Sequence, residues 1–297
     1  MLLFALTSFL PAAETSERAP LAARALLLDI ARAGDRLVAV GAYGNVVVST
    51  DEGASWRQVL VPTRALLTAV CFPDERHGWA VGHDGVILAT ADGGDTWTRQ
   101  DSGEDLETVF LDVLFLDERR GFAAGAYGKL LETSDGGKTW TAAQPSDEEP
   151  HFNAVRTNGR WLYLPGEAGT LLVHSHAWVR VALPYDGSLF GLVAVTDQIL
   201  VAYGLRGHIL RSEDAGGNWV EVANDLPALI LGGTVLRDGR VVLAGQGGNF
   251  FVSRDRGASF TAWKPGSLGA GVAELIEAND GALVTVGEAG VVRVRLP

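Results

Sequence analysis

The sequence predicts an all-β chain folded as a seven-bladed β-propeller, on three observations. A glycine-centred phrase recurs at intervals of 38 to 43 residues, it recurs to give seven copies, and short apolar runs bounded by turn residues surround each copy. A period near 40 marks stacked or circular arrays. One four-stranded sheet cannot hide both of its faces, so neighbouring copies must pack face to face around an axis.

The phrase V-G-A-Y-G-N-V-V-V-S-T-D-E-G-A-S-W at 40–56 returns as V-G-H-D-G-V-I-L-A-T-A-D-G-G-D-T-W at 81–97 and as A-G-A-Y-G-K-L-L-E-T-S-D-G-G-K-T-W at 124–140. Its first glycine gives the series Gly41, Gly82, Gly125, Gly166, Gly204, Gly245 and Gly287. Within the second copy the apolar runs predict strands at Thr68 to Phe72, Gly78 to Val81, Val86 to Thr90 and Trp97 to Gln100. The last copy offers strands near Val272 to Glu277, Leu283 to Gly287 and Val291 to Leu296, with no outer strand after them. Ser16 to Ala22 is expected to supply that strand and clasp the ring.

Five copies carry S/T-x-D-x-G-x-x-W/F, the Asp-box: Ser49 to Trp56, Thr90 to Trp97, Thr133 to Trp140, Ser212 to Trp219 and Ser253 to Phe260. Asp51, Asp92, Asp135, Asp214 and Asp255 are expected to accept backbone N–H bonds in a hairpin turn, while Trp56, Trp97, Trp140, Trp219 and Phe260 pack between blades. As acids or metal ligands they would have to converge, and one turn per blade spreads them around a rim instead. The fourth copy, at 166–178, has lost the aspartate, and there His174 and His176 share a strand face without a third ligand. No metal site, cofactor or catalytic residue is expected.

Composition bounds the rest. The 297 residues are 47% hydrophobic with 37 glycines, enough for one large β unit over residues 15–297. A formal charge of −12 repels phosphate backbones, and no basic stripe offsets it, so nucleic acid is a poor partner. Cys71 stands alone, which removes disulfides and thiolate zinc clusters and suits a small buried strand residue. Residues 1–14 read as a signal peptide with cleavage near Ala12 or Ala13, although the usual basic start is missing. No run is long enough to span a bilayer, so a soluble, exported, periplasmic monomer is expected.

H-G-W-A-V-G-H-D-G-V-I-L-A-T-A-D-G-G-D-T-W at 77–97 and R-G-F-A-A-G at 120–125 resemble the photosystem II stability and assembly factor-like family of Asp-box propellers. That resemblance covers residues 20 to 297. It implies a non-enzymatic exported scaffold whose partner is a membrane-protein complex or one of its subunits. The family's arginine-rich contact patch is not evident in this acidic sequence. The alternative classes, a sialidase-like glycoside hydrolase or a sugar-binding propeller, share the Asp-boxes, but the Arg-Ile-Pro segment that marks sialidases is absent.

Strand order places the turn between second and third strands on the face opposite the Asp-boxes, beside the links between blades. Those turns carry Tyr43, His83, Asp84, Tyr127, Glu167, Arg206, Gln246 and Glu288, the candidate partner-binding residues. The links add Asp101, Glu104, Asp105 and Glu107, then Asp147, Glu148 and Glu149, which favour a partner that is at least partly basic.

Overall fold

Alternating apolar runs separated by glycine turns build seven antiparallel sheets in the computed structural model, which describes residues 14–224, 226–266 and 268–297. The sheets, taken as blades 1 to 7, span residues 27–59, 67–100, 110–143, 156–180, 189–222, 230–263 and 272–294. Six have four strands and blade 7 has three. Blade 2 runs Leu67–Cys71, Gly78–Gly82, Ile87–Thr90 and Thr98–Gln100, within a residue or so of the expected boundaries.

The second strand of each blade lies between two neighbouring blades and is apolar on both faces. Gly78–Gly82, Gly121–Gly125, Leu200–Gly204, Val241–Gly245 and Leu283–Gly287 are buried along their whole length. The outer strands are short and polar, as in Thr98–Gln100, where two of three residues are exposed. Burial therefore peaks at the second and third strands, with the first strands at the axis only partly buried and the outer strands the most exposed.

Each of the seven marker glycines lies under a main-chain hydrogen bond. The residue after it donates its N–H to the carbonyl that precedes the first strand of the same blade: Ala42 to Leu26 at 3.0 Å, His83 to Leu66 at 2.9 Å, Gln246 to Leu229 at 2.8 Å and Glu288 to Gly271 at 3.1 Å. A Cβ on Gly82 or Gly245 would stand 2.0 Å from that oxygen, and at the other five markers it would stand 2.1 to 2.4 Å away. Gly41, Gly204 and Gly245 have extended φ values of 178°, −171° and −177°, so close approach selects glycine here and backbone freedom does not.

The five Asp-box turns share one bonding pattern. In blade 2 Thr90 Oγ1 donates to Asp92 Oδ1 at 2.7 Å and accepts from Gly94 N at 3.1 Å, while Thr96 donates through N to Oδ1 at 2.9 Å and through Oγ1 to Oδ2 at 2.6 Å. Asp51, Asp135, Asp214 and Asp255 repeat it within about 0.4 Å, Asn218 Nδ2 replacing the second hydroxyl at Asp214. Hydrogen bonds from Ser55, Thr139 and Ser259 lower Asp51, Asp135 and Asp255 from 3.8 to about 2. The indoles of Trp56, Trp97 and Trp219 donate to the box glycine carbonyls at 3.0 to 3.1 Å, whereas Trp140 turns to Gln100 Oε1 at 3.4 Å.

Each box tip leans on the second strand of the preceding blade. Gly94 faces Val38, Gly53 faces Val284, and Gly257 faces Val201. Tyr163 donates its hydroxyl to Ala215 O at 2.9 Å, and Trp79 donates to Gly136 O at 3.2 Å while stacking on Phe115 at 3.5 Å. Blades 4 and 7 lack a box, so the seams between blades 3 and 4 and between blades 6 and 7 lack this lock.

The ring closes differently from the expected clasp. Ser16 to Ala22 does not pair with Val292–Val294, and blade 7 keeps three strands among the described residues. The segment instead crosses blade 1, where Ser16 N donates to Val61 O and Val61 N to Ser16 Oγ, both at 2.9 Å. It then brings Ala23 O to Val291 N at 2.8 Å, acting as the link that precedes a blade elsewhere in the ring. Packing of Leu27, Ile30 and Leu37 on Ala278, Val284 and Val286 completes the seam. Glu52 ties its outer end, accepting from Arg32 at 2.9 and 3.0 Å and from Asn279 N and Nδ2 at 2.8 Å. The signal segment expected over residues 1–14 lies, apart from Glu14, outside the described residues.

Two predictions follow from these contacts. Gly245→Ala should cost about 1–3 kcal/mol or more by forcing strand from link, read as a shift in urea midpoint against a solvent-facing control, Gly239→Ala being unsuitable because of its φ of 86° and Ala262→Gly serving instead. Asp92→Ala or Asp135→Ala should lower the melting temperature at pH 7, with the loss shrinking in acid. A carboxyl lowered from 3.8 to about 2, as at Asp135, contributes stability above pH 3.8 and loses it as pH falls through 2. A pH-independent loss would show that the turn's hydrogen bonds are not its source.

Candidate functional site

The face opposite the boxes is built from the turns between second and third strands and the links that enter the next blade. Link carbonyls hold the turns: Gly44 N donates to Ala65 O at 2.9 Å, Gly85 N to Thr108 O at 2.8 Å and Gly128 N to Pro150 O at 2.8 Å. The scaffold is thus fixed by main chain, and the side chains it carries are free to differ.

Two positions in this turn behave differently, a distinction that sequence reading did not make. The position directly after the marker glycine carries His83, Glu167, Gln246 and Glu288. There Glu167 Oε1 accepts from His151 N at 2.9 Å, Glu288 Oε2 from Gly271 N at 2.8 Å and Gln246 Oε1 from Leu229 N at 3.5 Å. Those three side chains fold back over their own links. The next position carries Tyr43, Asp84, Tyr127 and Arg206 with φ of 61°, 59°, 54° and 56°, and all four residues are exposed. Blade 6 places Gly247 there at φ 65°. Non-glycine residues in this left-handed region cost on the order of 1 kcal/mol. Tyr43 and Tyr127 accept that cost while remaining 75% and 72% exposed.

Other aromatic and charged groups gather beside them. The Tyr127 ring meets His151 edge-on at 4.7 Å, and Tyr185 stacks on His208 at 4.0 Å. His208 Nδ1 lies 2.5 Å from Glu221 Oε1. Tyr185 and His151 were not singled out from the sequence because they sit in links outside the repeated phrase, and His208 because it lies just past the turn positions that were read. By contrast Tyr163 and Tyr203 are core residues, 0% and 1% exposed.

Charge on this face is mixed. Glu104 pairs with Lys129 at 2.7 Å, and Glu148 pairs with Arg180, so two of the link carboxylates are neutralised. Leu106, inside the acidic link, is 72% exposed. Beside Tyr43, a cavity of about 430 Å³ is lined by Leu21, Arg18, Arg24 and Arg64 among others. Arg64 pairs with Glu17 at 3.0 Å, while Arg18 and Arg24 have no acidic partner among the described residues. This local basic cluster went unread because its members lie in the N-terminal link and the blade 1 to 2 link, far apart in sequence.

The axis holds groups that sequence reading also passed over. Asp29, Asp112 and Glu274 each follow a β-bulge in a first strand and border a cavity of about 90 Å³ together with Arg156. Asp29 Oδ2 accepts from Val70 N at 2.7 Å, Asp112 Oδ2 from Val155 N at 2.7 Å and Glu274 Oε1 from Gly233 N at 3.1 Å, each on a neighbouring blade. Arg156 pairs with Asp112. The available signal was a single acid inside an apolar strand, as in F-L-D-V-L-F at 110–115.

The five box aspartates remain one per blade on the opposite face and do not converge. His174 tilts against Trp178 at 4.9 Å. Among the described residues, one group of three metal-competent side chains does occur, Asp74, His77 and Glu118, on the Asp-box face. Asp74 is occupied there by a turn, accepting from Arg76 N and His77 N at 2.7 Å, and Asp117 makes the same turn in blade 3 without a histidine.

Comparison with known proteins agrees with this architecture. Over 90 residues the chain is 41% identical to the photosystem II stability/assembly factor HCF136, chloroplastic, of Cyanidioschyzon merolae, a stretch covering 28% of this chain and 20% of that protein. Over 42 residues it is 40% identical to the photosystem II assembly protein Ycf48 of Thermosynechococcus vestitus, covering 14% of this chain and 12% of the relative. These matches span well under two thirds of the relatives' own lengths. Among solved structures, one described as YCF48 bound to D1 peptide superposes with a TM-score of 0.73 at 19% identity, covering 92% of this chain and 93% of that one. YCF48 from Cyanidioschyzon merolae gives 0.73 at 17% identity, covering 92% and 96%, and the WD40 propeller domain of Doa1 gives 0.71 at 13%, covering 95% of each, likenesses that speak to fold. A model of the family described as Photosynthesis system II assembly factor YCF48 matches residues 48–108 and 104–290, and the chain belongs to that family.

Proposed function

We propose that this chain is an exported, non-enzymatic scaffold that helps a membrane-protein complex assemble, gripping a protein partner through the face opposite its Asp-boxes. Tyr43 and Tyr127 carry the reading: two large rings held in the left-handed region at a position glycine fills in blade 6, and left exposed. Burial does not explain them. Aromatic side chains and arginine are the residue types most often found at the energetic centres of interfaces. Arg206 occupies the same turn position in blade 5, and Arg18 and Arg24 flank Tyr43, while the acidic links of blades 2 and 3 would steer encounter.

The partner's nature is carried over from relatives. A solved protein of this fold is described as bound to D1 peptide, and curated relatives are described as photosystem II assembly factors. A protein segment from such a complex is therefore the partner class we favour, bound by a monomeric propeller. No helix among the described residues is long and apolar enough to cross a membrane. Export to the periplasm remains an expectation from residues 1–14.

Replacing Tyr43 and Tyr127 together by alanine should weaken capture of the partner from membrane extract roughly tenfold or more while leaving the melting temperature unchanged. Capture that survives this change but is lost on charge reversal along the Asp-box rim would move the interface to the other face. Hydrolysis of a fluorogenic sialoside should be absent, since the box carboxylates do not converge. Turnover abolished by Glu167→Gln or Tyr127→Phe would refute the non-enzymatic reading.

A further inference from the structure

The two seams without an Asp-box are crossed at the axis by carboxylates: Asp112 bridges blades 3 and 4, and Glu274 bridges blades 7 and 6. Asp29 similarly joins blade 1 to blade 2. Three carboxylates thus share a cavity of about 90 Å³ with one guanidinium. Arg156 is committed to Asp112. Among the described residues Asp29 and Glu274 accept hydrogen bonds from main chain alone, Asp29 from Ile30 N and Val70 N at 2.7 Å and Glu274 from Gly233 N at 3.1 Å and Leu275 N at 2.9 Å. They stand on blades 1 and 7, whose seam closes the ring without a clasping strand. Two like charges, each only partly exposed where the blades crowd the axis and with no cation of their own, repel each other and are incompletely solvated.

We propose that Asp29 and Glu274 form a proton-binding latch at the closing seam, neutral in the tight ring and loosening it when both ionise. The groups facing them are Asp112 from blade 3, Arg156 from blade 4, Tyr203 from blade 5 and Cys71 from blade 2, while blade 6 offers only the Gly233 amide. Of these only Arg156 is cationic, and it lowers both carboxyls less than burial raises them. Burial pushes Asp29 from 3.8 to about 7, and burial followed by the Asp29 charge pushes Glu274 from 4.5 to about 8. Both folded values lie above the unfolded ones. Their contribution is therefore complete in acid and is lost as pH rises through about 7 to 8, opposite in sense to the Asp-boxes.

The latch is independent of any partner and is tested on the protein alone. Urea unfolding should show the folding equilibrium falling by about tenfold or more between about pH 5.5 and pH 8.5. Glu274→Gln, which keeps the shape and removes the charge, should be at least as stable as the wild type at the upper pH and should lose much of the slope, and Asp29→Asn should do the same. The six histidines are common to all three proteins and cancel in the comparison. A flat wild-type profile, or a Gln variant with an unchanged slope, overturns the proposal. Should the variants fail to fold, carboxyl carbon NMR of the wild type decides: two carboxyls titrating above about pH 6 support it, and all midpoints below about pH 5 overturn it. Calcium or potassium chloride that raises the wild-type midpoint at the upper pH, and not that of Glu274→Gln, would show a cation in place of the proton and overturn it too.

Discussion

A main-chain hydrogen bond laid over a glycine is the constraint on which the ring depends. In each blade the residue after the marker glycine donates to the carbonyl that precedes the first strand, and the glycine beneath leaves 2.0 to 2.4 Å where a Cβ would stand. That contact fixes the innermost strand against the second. It also fixes where the chain enters the blade, and hence the direction from which each link arrives. Repeated seven times, it gives every blade the same entry geometry.

Lateral cohesion comes from a second, less regular set of devices. Box turns lock five seams by resting on the preceding blade's second strand, and the other two seams are carried by axial carboxylates and by apolar packing. Phe122, Leu130 and Leu164 fill the space between blades 3 and 4, and Val242, Phe250 and Leu275 do so between blades 6 and 7. A repeat protein tolerates loss of a motif in one copy when a neighbour supplies a contact of comparable strength. In this chain the replacements at those two seams are ionisable carboxylates, Asp112 and Glu274, whose bonds run from side chain to main chain across the seam.

The fold was legible because its constraint is written in residue type. A carbonyl pressed against Cα admits only glycine, and a turn built on one carboxylate needs Asp with a hydroxyl two residues before it, so both leave a periodic mark. What stayed illegible has no such mark. The N-terminal segment reads as a spare strand by count, yet Ser16 and Ala23 bond to Val61 and Val291 as a link, with Ala23 O meeting the seventh turn at Val291 N much as link carbonyls meet Gly44 N and Gly85 N in earlier blades. The arginines beside Tyr43 and the three axial acids converge from distant blades, and convergence across a ring is invisible to a linear period.

The same division explains where specificity can reside on the candidate face. The turn's first and last residues are held by the link and the glycine bond, and Glu167, Gln246 and Glu288 fold back to serve link amides. Only the left-handed position is free of these duties. Glycine is the least costly residue for it, and blade 6 uses glycine, so any larger side chain there is retained against a backbone preference. On the proposed function, the differences among Tyr43, Asp84, Tyr127 and Arg206 on this shared frame are what would distinguish one partner from another.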